Sequence, residues 1–364
     1  MQFVPDSGSS AGRRRASGAR ALCCGAALLV AAASSLTHAP RAEAQTAGDP
    51  DPQCTATAQG GDVCQLATDL FHFVNPQFGT LIAGGNATLG QGGTLGGLGH
   101  FALGLRANVT TQLAVPELDD VEFNEGPPSR NDYTTSDSPG GFPVVDLGVG
   151  LYEGYPVGDA LVGGVDALVN VFYLPESLTD FDDESISLDG TDTGVKLGYG
   201  VRVGLVDEGR LRPGVSVTFI RRSLPTVNVA IIEESDEPGV TVSDSLSLRD
   251  FSVQTNAWRL VAGKSFLRVF NVAAGIGRDN YDTGGRLGYR VSSEDDSTIS
   301  GGFDFAQEVS RTNMFADLSI NLFVFRLVGE IGRVSGGDVR TFNQFGTNPN
   351  EASIYGAVGL RFGR

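Results

Sequence analysis

The chain has little of several features that mark common protein classes. After residue 44 no apolar run is long enough to cross a membrane as a helix, which excludes a helical membrane protein. Basic residues number 26 against 43 acidic ones, and this balance argues against nucleic acid as a partner. Beyond residue 44 the only histidines are His72 and His100, and neither has a serine or aspartate partner at readable spacing. We therefore expect no enzyme and no cofactor.

The first 44 residues have the three parts of a secretory signal peptide. Arg13, Arg14, Arg15 and Arg20 precede an apolar run over 21–33, and Ala42-Glu43-Ala44 forms a small-residue cleavage site. The apolar core is too short for a membrane-spanning helix. Cleavage after residue 44 leaves 21 basic and 41 acidic residues, so the mature chain carries a net charge near −20.

Only two cysteines, Cys54 and Cys64, remain in the mature chain. In an exported protein two cysteines at this short spacing predict one disulfide that closes a small loop. A metal site would need more ligands than this stretch offers, so we expect no metal centre there.

Apolar residues alternate with other residues at period two from Gly99 onward. Such alternation is typical of strands with one apolar face. Strands in a membrane must close into a ring that leaves no edge. We therefore predict an all-β fold over 99–364, a transmembrane antiparallel up-and-down β-barrel. The outward apolar sets include Leu103, Leu105, Val201, Phe251, Val253, Ile276, Leu318, Leu327 and Leu360. Near Trp258 the phase slips, since Gln254 and Asn256 share its parity, and we expect a bulge there.

The connections between these segments alternate in length. Short ones are expected at 155–160, 207–210, 263–265 and 322–325, and long ones at 112–141, 175–192, 225–248, 279–308 and 336–351. Short turns on one side and long loops on the other are typical of membrane barrels. Counting from Gly99 gives ten strands. The count becomes twelve if 71–78 and 81–89 are also strands.

The segment before the barrel, 45–98, has a different pattern. Val63, Leu66, Ala67, Leu70 and Phe71 belong to a stripe with helical spacing, which predicts a helix from Asp62 to Asn75 that Pro76 ends. The glycine-rich stretch that follows is expected to be irregular or to line the lumen. Many inward positions of the barrel are glycine, so we expect 54–98 to act as a plug or gate that enters from the periplasmic side.

Charged residues fall on the inward face of several strands. They are Arg106, Lys196, Arg202, Arg326 and Arg361 against Asp146, Asp166, Asp317 and Glu330. Two interpretations stay open: a charged constriction that selects a solute, or ion pairs that fill a narrow lumen. The acidic loops 112–141 and 175–192 could bind divalent cations, but they lack EF-hand spacing, and a solvated loop is the alternative.

The last stretch, Ala352 to Arg364, alternates Ile354, Val358, Leu360 and Phe362 with polar or small residues. It resembles the closing strand of Gram-negative outer-membrane β-barrels, whose C-terminal aromatic is read by the assembly machinery; here Gly363 and Arg364 follow Phe362. The predicted helix with its Asn75-Pro76 step resembles the N-terminal hatch of the long-chain fatty-acid transporter family.

These resemblances imply a protein of the outer membrane, with membrane lipid and the barrel-assembly machinery as partners. They also imply a passive channel, transporter or binder of a small-molecule solute. A non-conducting structural or surface-interaction barrel is the alternative, and an outer-membrane hydrolase is a third.

Overall fold

A computed structural model describes residues 48–363, apart from 57–59, 119–125, 174–179, 182–183, 189–193, 235–242, 268 and 293–297. The predicted signal peptide, 1–44, lies outside the described residues, as does most of the acidic loop 175–192.

Ten strands form a closed ring. They are β1 (Phe101–Pro116), β2 (Thr135–Tyr152), β3 (Val165–Tyr173), β4 (Val195–Val206), β5 (Gly214–Ser223), β6 (Ser243–Phe266), β7 (Phe270–Ser292), β8 (Thr298–Leu322), β9 (Phe325–Ser335) and β10 (Ser353–Gly363). Each strand pairs antiparallel with its neighbours in sequence, and β1 pairs with β10 to close the ring. The predicted ten-stranded up-and-down barrel is confirmed. The twelve-strand alternative is wrong, because 71–78 is helical and 84–100 forms no strand.

The outside of the ring is apolar over most of its height. Leu105, Leu318, Val358 and Leu360 are among the exposed side chains, while the residues between them face inward. Near the chain terminus the ring of Phe362 lies 5.8 Å from that of Phe101 and 6.0 Å from that of Phe325. An apolar belt with aromatic residues at its border suits an exterior that lipid solvates.

Strand β6 departs from the expected pattern. Its ladder with β5 is continuous from Gln254 to Gly263, so the bulge expected near Trp258 is wrong; the register shifts instead between Arg249 and Ser252. Phe251 and Val253 were expected on the outer face but are buried inside. Beyond the apolar belt the exterior is aqueous, so apolar side chains there turn inward to pack on the luminal helix.

The ring has a turn end and a loop end. Connections at the turn end cover 153–164, 207–213, 267–269 and 323–324, and those at the loop end cover 117–134, 174–194, 224–242, 293–297 and 336–352. The turn expected at 263–265 lies at 267–269. The loop expected at 279–308 is mostly strand, because β6, β7 and β8 have 24, 23 and 25 residues and extend past the ring.

Short strands decorate both ends. At the loop end Asp132–Tyr133 pairs with Gln344–Phe345, and Val227–Glu234 pairs with β6 and with Glu184–Leu188. Glu184–Leu188 also pairs with Asp180–Phe181. At the turn end Tyr155–Val157 pairs with Ala160–Val162.

In the described part of the chain two helices precede the ring, α1 (Pro52–Thr55) and α2 (Gly61–Ala83). The expectation that Pro76 ends the helix is wrong, since α2 continues for seven residues beyond it. Proline has no N–H for the carbonyl of His72 four residues earlier. The Gln307 side chain of β8 donates to that carbonyl over 3.1 Å, which supplies the missing bond. Neither described helix is long and apolar enough to cross a membrane.

Helix α2 lies inside the ring and begins at the loop end. Gly48 donates to the Thr341 carbonyl of the last loop, and Asp62 accepts from Ser129 of the first. The chain then descends through the lumen to the start of β1 at the turn end. The expected entry from the opposite mouth is therefore wrong, since the described chain begins at the loop end with Gly48.

The apolar belt can be tested with two arginine substitutions on β1. Leu105→Arg puts a charge in the middle of the belt, where it should reduce the free energy of unfolding by about 2–4 kcal/mol. Thr111→Arg on the same strand lies past the belt and should have little effect. Urea unfolding in lipid vesicles, followed by heat modifiability, measures both. Equal losses would contradict the assigned belt.

Candidate functional site in the lumen

The loop-end half of the lumen is filled by α2 through apolar contacts. Phe71 packs against Phe251 and Phe305, and Phe73 stacks on Phe345 with ring centroids 4.5 Å apart. A Cβ at Gly79 would lie 2.6 Å from the ring of Tyr281, so only glycine lets the helix approach that side chain. These contacts anchor the helix in the wall.

Polar contacts hold the start of α2 under the loops. Cys54 and Cys64 are joined by a disulfide. The buried carboxylate of Asp69 accepts from the backbone N–H groups of Phe342 (3.0 Å) and Asn343 (2.9 Å), and from the Asn343 side chain (2.8 Å). Asp69 therefore fastens the last loop onto the helix.

The turn-end half is filled by the irregular stretch 84–98. Its peptide groups have no regular secondary structure to pair them, so they need other hydrogen-bond partners. Wall arginines donate to its carbonyl oxygens: Arg106 to Asn86 (2.7 Å), Arg259 to Gly84 (2.8 Å) and to Gly85 (3.1 Å), Arg361 to Leu89 (3.1 Å), and Arg202 to Gly93 (3.2 Å). Arg222 donates to Ala83 at the end of the helix.

Wall carboxylates accept from the N–H groups of the same stretch. Glu330 accepts from Gly85 (3.1 Å) and Asn86 (2.7 Å). Asp317 accepts from Gly90 (3.1 Å), and Asp166 accepts from Leu95 through both oxygens. Backbone groups of both signs on the segment are thus matched by charged groups of the wall.

Two contacts bring backbone directly against backbone. A Cβ at Gly92 would lie 2.1 Å from the N atom of Gly263, and a Cβ at Gly150 would lie 2.2 Å from the carbonyl oxygen of Gly97. Gly92 of the segment and Gly150 of the wall therefore both need to be glycine. The space that inward glycines leave is occupied by the segment itself.

The structure brings most of the predicted lumen charges around this segment. Arg106 pairs with Asp146 (2.9 Å), and Arg202 pairs with Asp166 (3.5 Å). Arg326 donates to the carbonyl of Gly90 (3.4 Å). Lys196 faces inward but lies nearer the loop end of β4. Of the two interpretations, a selective constriction or ion pairs that fill the lumen, ion pairing describes only some of the predicted charged residues. Most of them also bind the segment.

The sequence analysis missed several wall residues that bind the luminal segment or pair with a residue that does. They are Asn108, Arg222, Arg259, Asp279 and Asn313. Arg222 lies on the inward face of β5, three residues after the outward Phe219, and could have been found by extending the alternation. Arg259 was missed because a bulge was assumed next to it, and its ion-pair partner Asp279 was missed because a loop was expected over 279–308.

Two larger cavities flank the filled centre. One of about 270 Å³ lies between α2 and the β1–β10 seam at the loop end, and its lining includes Leu81, Gln112 and Arg311. Another of about 190 Å³ lies at the turn end beside Gly92, Lys264 and Arg326. A void of about 10 Å³ beside Arg106 lies between them on the same seam.

Neither histidine lies in a catalytic arrangement among the described residues. His72 is on α2, and His100 lies next to β1 at the turn end. No three metal-ligating side chains come together in the part of the chain that the structure describes. The side chains of loop 175–192 fall outside that part, so the cation site considered there stays a prediction.

No protein-family model and no curated protein matches the chain. Several solved structures match it at low identity, among them the following three. The CymD monoaromatic hydrocarbon channel is 12% identical, covering 81% of this chain and 93% of its own, with a TM-score of 0.27. The β domain of the Bordetella autotransporter BrkA is 11% identical, covering 72% of this chain and 98% of its own, with a TM-score of 0.29. The Pseudomonas putida toluene transporter TodX is 10% identical, covering 72% of this chain and 88% of its own, with a TM-score of 0.28.

Matches at these TM-scores carry no argument about this chain, whose barrel is established by its own strand pairing. They also do not show the resemblance to the long-chain fatty-acid transporter family that the Asn75-Pro76 step suggested.

The Asp69 contact makes the stability of the fold depend on pH. Burial raises the pKa of Asp69 from 3.8 to about 6, against the lowering effect of its hydrogen bonds from Asn343 and Phe342. The folded state then holds the proton more tightly than the unfolded chain does. The resulting stabilisation is complete below pH 3.8, is lost as the pH rises through about 6, and amounts to at most about 3 kcal/mol.

We expect Asp69→Asn to remove this part of the pH dependence. The measurement is urea unfolding at several pH values between about 4 and 8, compared for the wild type and the variant. A wild-type profile that the substitution leaves unchanged would show that Asp69 does not titrate in this range.

Proposed function

We propose that this protein is an outer-membrane barrel that passes a small solute and is closed at rest by its own N-terminal segment. In this proposal the signal peptide exports the chain and the barrel-assembly machinery inserts it through β10. The loop end then faces outward and the turn end faces the periplasm. The observation that carries the proposal is the polar contact between the wall and residues 84–98.

A wall of charged side chains suits two states of the lumen. When the segment is in place, guanidinium and carboxylate groups bind its backbone; when it moves, water can solvate the same groups. An apolar wall would leave the peptide groups of 84–98 without hydrogen-bond partners, and water would not solvate it once the segment had moved. The charged wall thus supports a lumen that opens.

The two halves of the luminal segment differ in how they are held. Helix α2 is anchored by aromatic packing, and its Cys64 is joined to Cys54 by the disulfide. Residues 84–98 contact the wall mainly through hydrogen bonds that water can replace. We infer that the helix stays in place and that 84–98 is the part that moves.

The cavities suggest the route. The loop-end cavity lies beside the helix along the β1–β10 seam, and the small void beside Arg106 lies on the same seam against residues 88–89. A displacement of 84–98 would join them to the turn-end cavity. A solute could then pass α2 without moving it.

A second candidate is a non-conducting barrel that presents a surface to the outside. The observation in its favour is that β6, β7 and β8 extend far past the ring, together with the strands at 184–188 and 227–234. In that case the luminal segment would be a permanent filling.

A disulfide between the segment and the wall separates the two candidates. A Cβ at Gly204 would lie 3.0 Å from Cγ2 and 3.4 Å from Oγ1 of Thr94, which suits a bridge in the double variant Thr94→Cys/Gly204→Cys. We expect the oxidised variant to show no openings in planar bilayers, and reduction to restore them.

Reductant also opens the bond between Cys54 and Cys64, so the single variant Thr94→Cys is the control. It should conduct in both redox states. A double variant whose current does not change on reduction would contradict the gate and favour the surface-interaction barrel.

A further inference from the structure

The wall of the lumen carries more positive than negative charge. Among the inward-facing residues of the ring strands that the structure describes, eight are basic and five acidic. They are Arg106, Lys196, Arg202, Arg222, Arg259, Arg311, Arg326 and Arg361 against Asp146, Asp166, Asp279, Asp317 and Glu330. This surplus of three stands against the whole chain, whose net charge is −17.

The luminal segment neutralises only part of this surplus, since its two buried carboxylates, Asp62 and Asp69, lie near the start of α2 under the loops. From Leu70 to Gly99 it contains no aspartate, glutamate, lysine or arginine. Three arginines, Arg106, Arg202 and Arg259, have a carboxylate partner. The remaining four, Arg222, Arg311, Arg326 and Arg361, form no ion pair with any described residue.

These four arginines bind neutral oxygens of the chain. Arg222 donates to Ala83, Arg311 to Pro349, Arg326 to Gly90 and Arg361 to Leu89, in each case to a carbonyl oxygen. Buried guanidinium groups normally meet carboxylate or phosphate oxygens. These carbonyls, three on the luminal segment and one on the last loop, therefore occupy positions that anionic oxygens would fill more strongly.

The arginines also lie along the proposed route from end to end. Arg311 lines the loop-end cavity together with Asp137 and Glu351, and the Nε of Arg311 has no hydrogen-bond partner in the described part of the chain. Arg106 borders the small void, and Arg326 lines the cavity at the turn end. Each step of the route thus meets at least one guanidinium group.

We propose that the solute is a small anion, which Arg326 and Arg361 take over from the carbonyls of Gly90 and Leu89 as residues 84–98 move, and which Arg222 meets at the end of α2. This inference rests on the proposed function for its route. Rings of basic side chains select anions in other pores by the same electrostatic attraction.

Reversal potentials in a KCl gradient test the selectivity of the open state. We expect the permeability ratio of chloride to potassium, PCl/PK, to be above one for the wild type and to fall about twofold or more in Arg222→Gln. Arg222→Lys keeps the charge and should retain the preference. Arg221→Gln is the matched control, because Arg221 is the next residue on β5, faces outward and contacts Gln254. A wild-type preference for K⁺, or equal shifts in Arg221→Gln and Arg222→Gln, would overturn the proposal.

If no variant conducts, the proposed function is refuted. The anion site can then still be tested by a second measurement. The loop-end cavity does not depend on movement of the segment, so acetate should bind the full-length protein there. Calorimetric titration should give saturable heat in the wild type, a loss of that heat in Arg311→Gln and partial recovery in Arg311→Lys. Equal binding in the wild type and Arg311→Gln, or none in either, would overturn the anion site.

Discussion

Peptide groups inside a barrel need hydrogen-bond partners, and residues 84–98 have no helix or sheet to provide them. The structure meets this requirement with side chains of the wall. Arginines and asparagines donate to the carbonyls, and Glu330, Asp317 and Asp166 accept from the N–H groups. The placement of charge in the lumen follows from this need, since each wall residue must match the polarity of the peptide group that it faces.

The same requirement explains why the two halves of the lumen differ. Helix α2 pairs its own backbone groups, so its surface can be apolar and the facing wall carries Phe251, Phe305 and Tyr281. The one carbonyl that Pro76 leaves unpaired receives a donor from Gln307. Where the helix ends at Ala83, the wall changes from aromatic to charged. This change in the wall divides the anchored part of the segment from the part that we propose to move.

Much of the barrel could be predicted from the sequence, because alternation is a local property. Leu103 and Leu105 on β1, or Leu318 and Ile320 on β8, indicate their faces by themselves, and the inward arginines follow from the same parity. The helix beyond Pro76 could not be predicted, since the side chain that compensates for the proline comes from Gln307 on a distant strand. Phe251 and Val253 were misplaced because the apolar face of a strand inverts where the membrane ends, and the sequence does not mark that height.

The path of the N-terminal segment also depends on contacts between distant residues. Nothing near Asp62 or Asp69 indicates that they meet Ser129 and Asn343 at the loop end. The hydrogen bonds between wall and segment join residues such as Asn86 and Glu330, which lie 244 positions apart. Glycine content predicted that the lumen had space to fill; the direction of entry and the partners of each peptide group required the structure.

Hydrogen exchange of the folded protein tests most directly whether the wall binds the segment. The amides of Gly85, Asn86, Gly90 and Leu95 should be protected like those of the ring strands, and Glu330→Gln should speed exchange at Gly85 and Asn86 by about tenfold. Glu308→Gln, an exposed position on β8, should leave them unchanged. Exchange of these amides as fast as in the exposed turn at Gly158, in the wild type and the variant alike, would contradict the account.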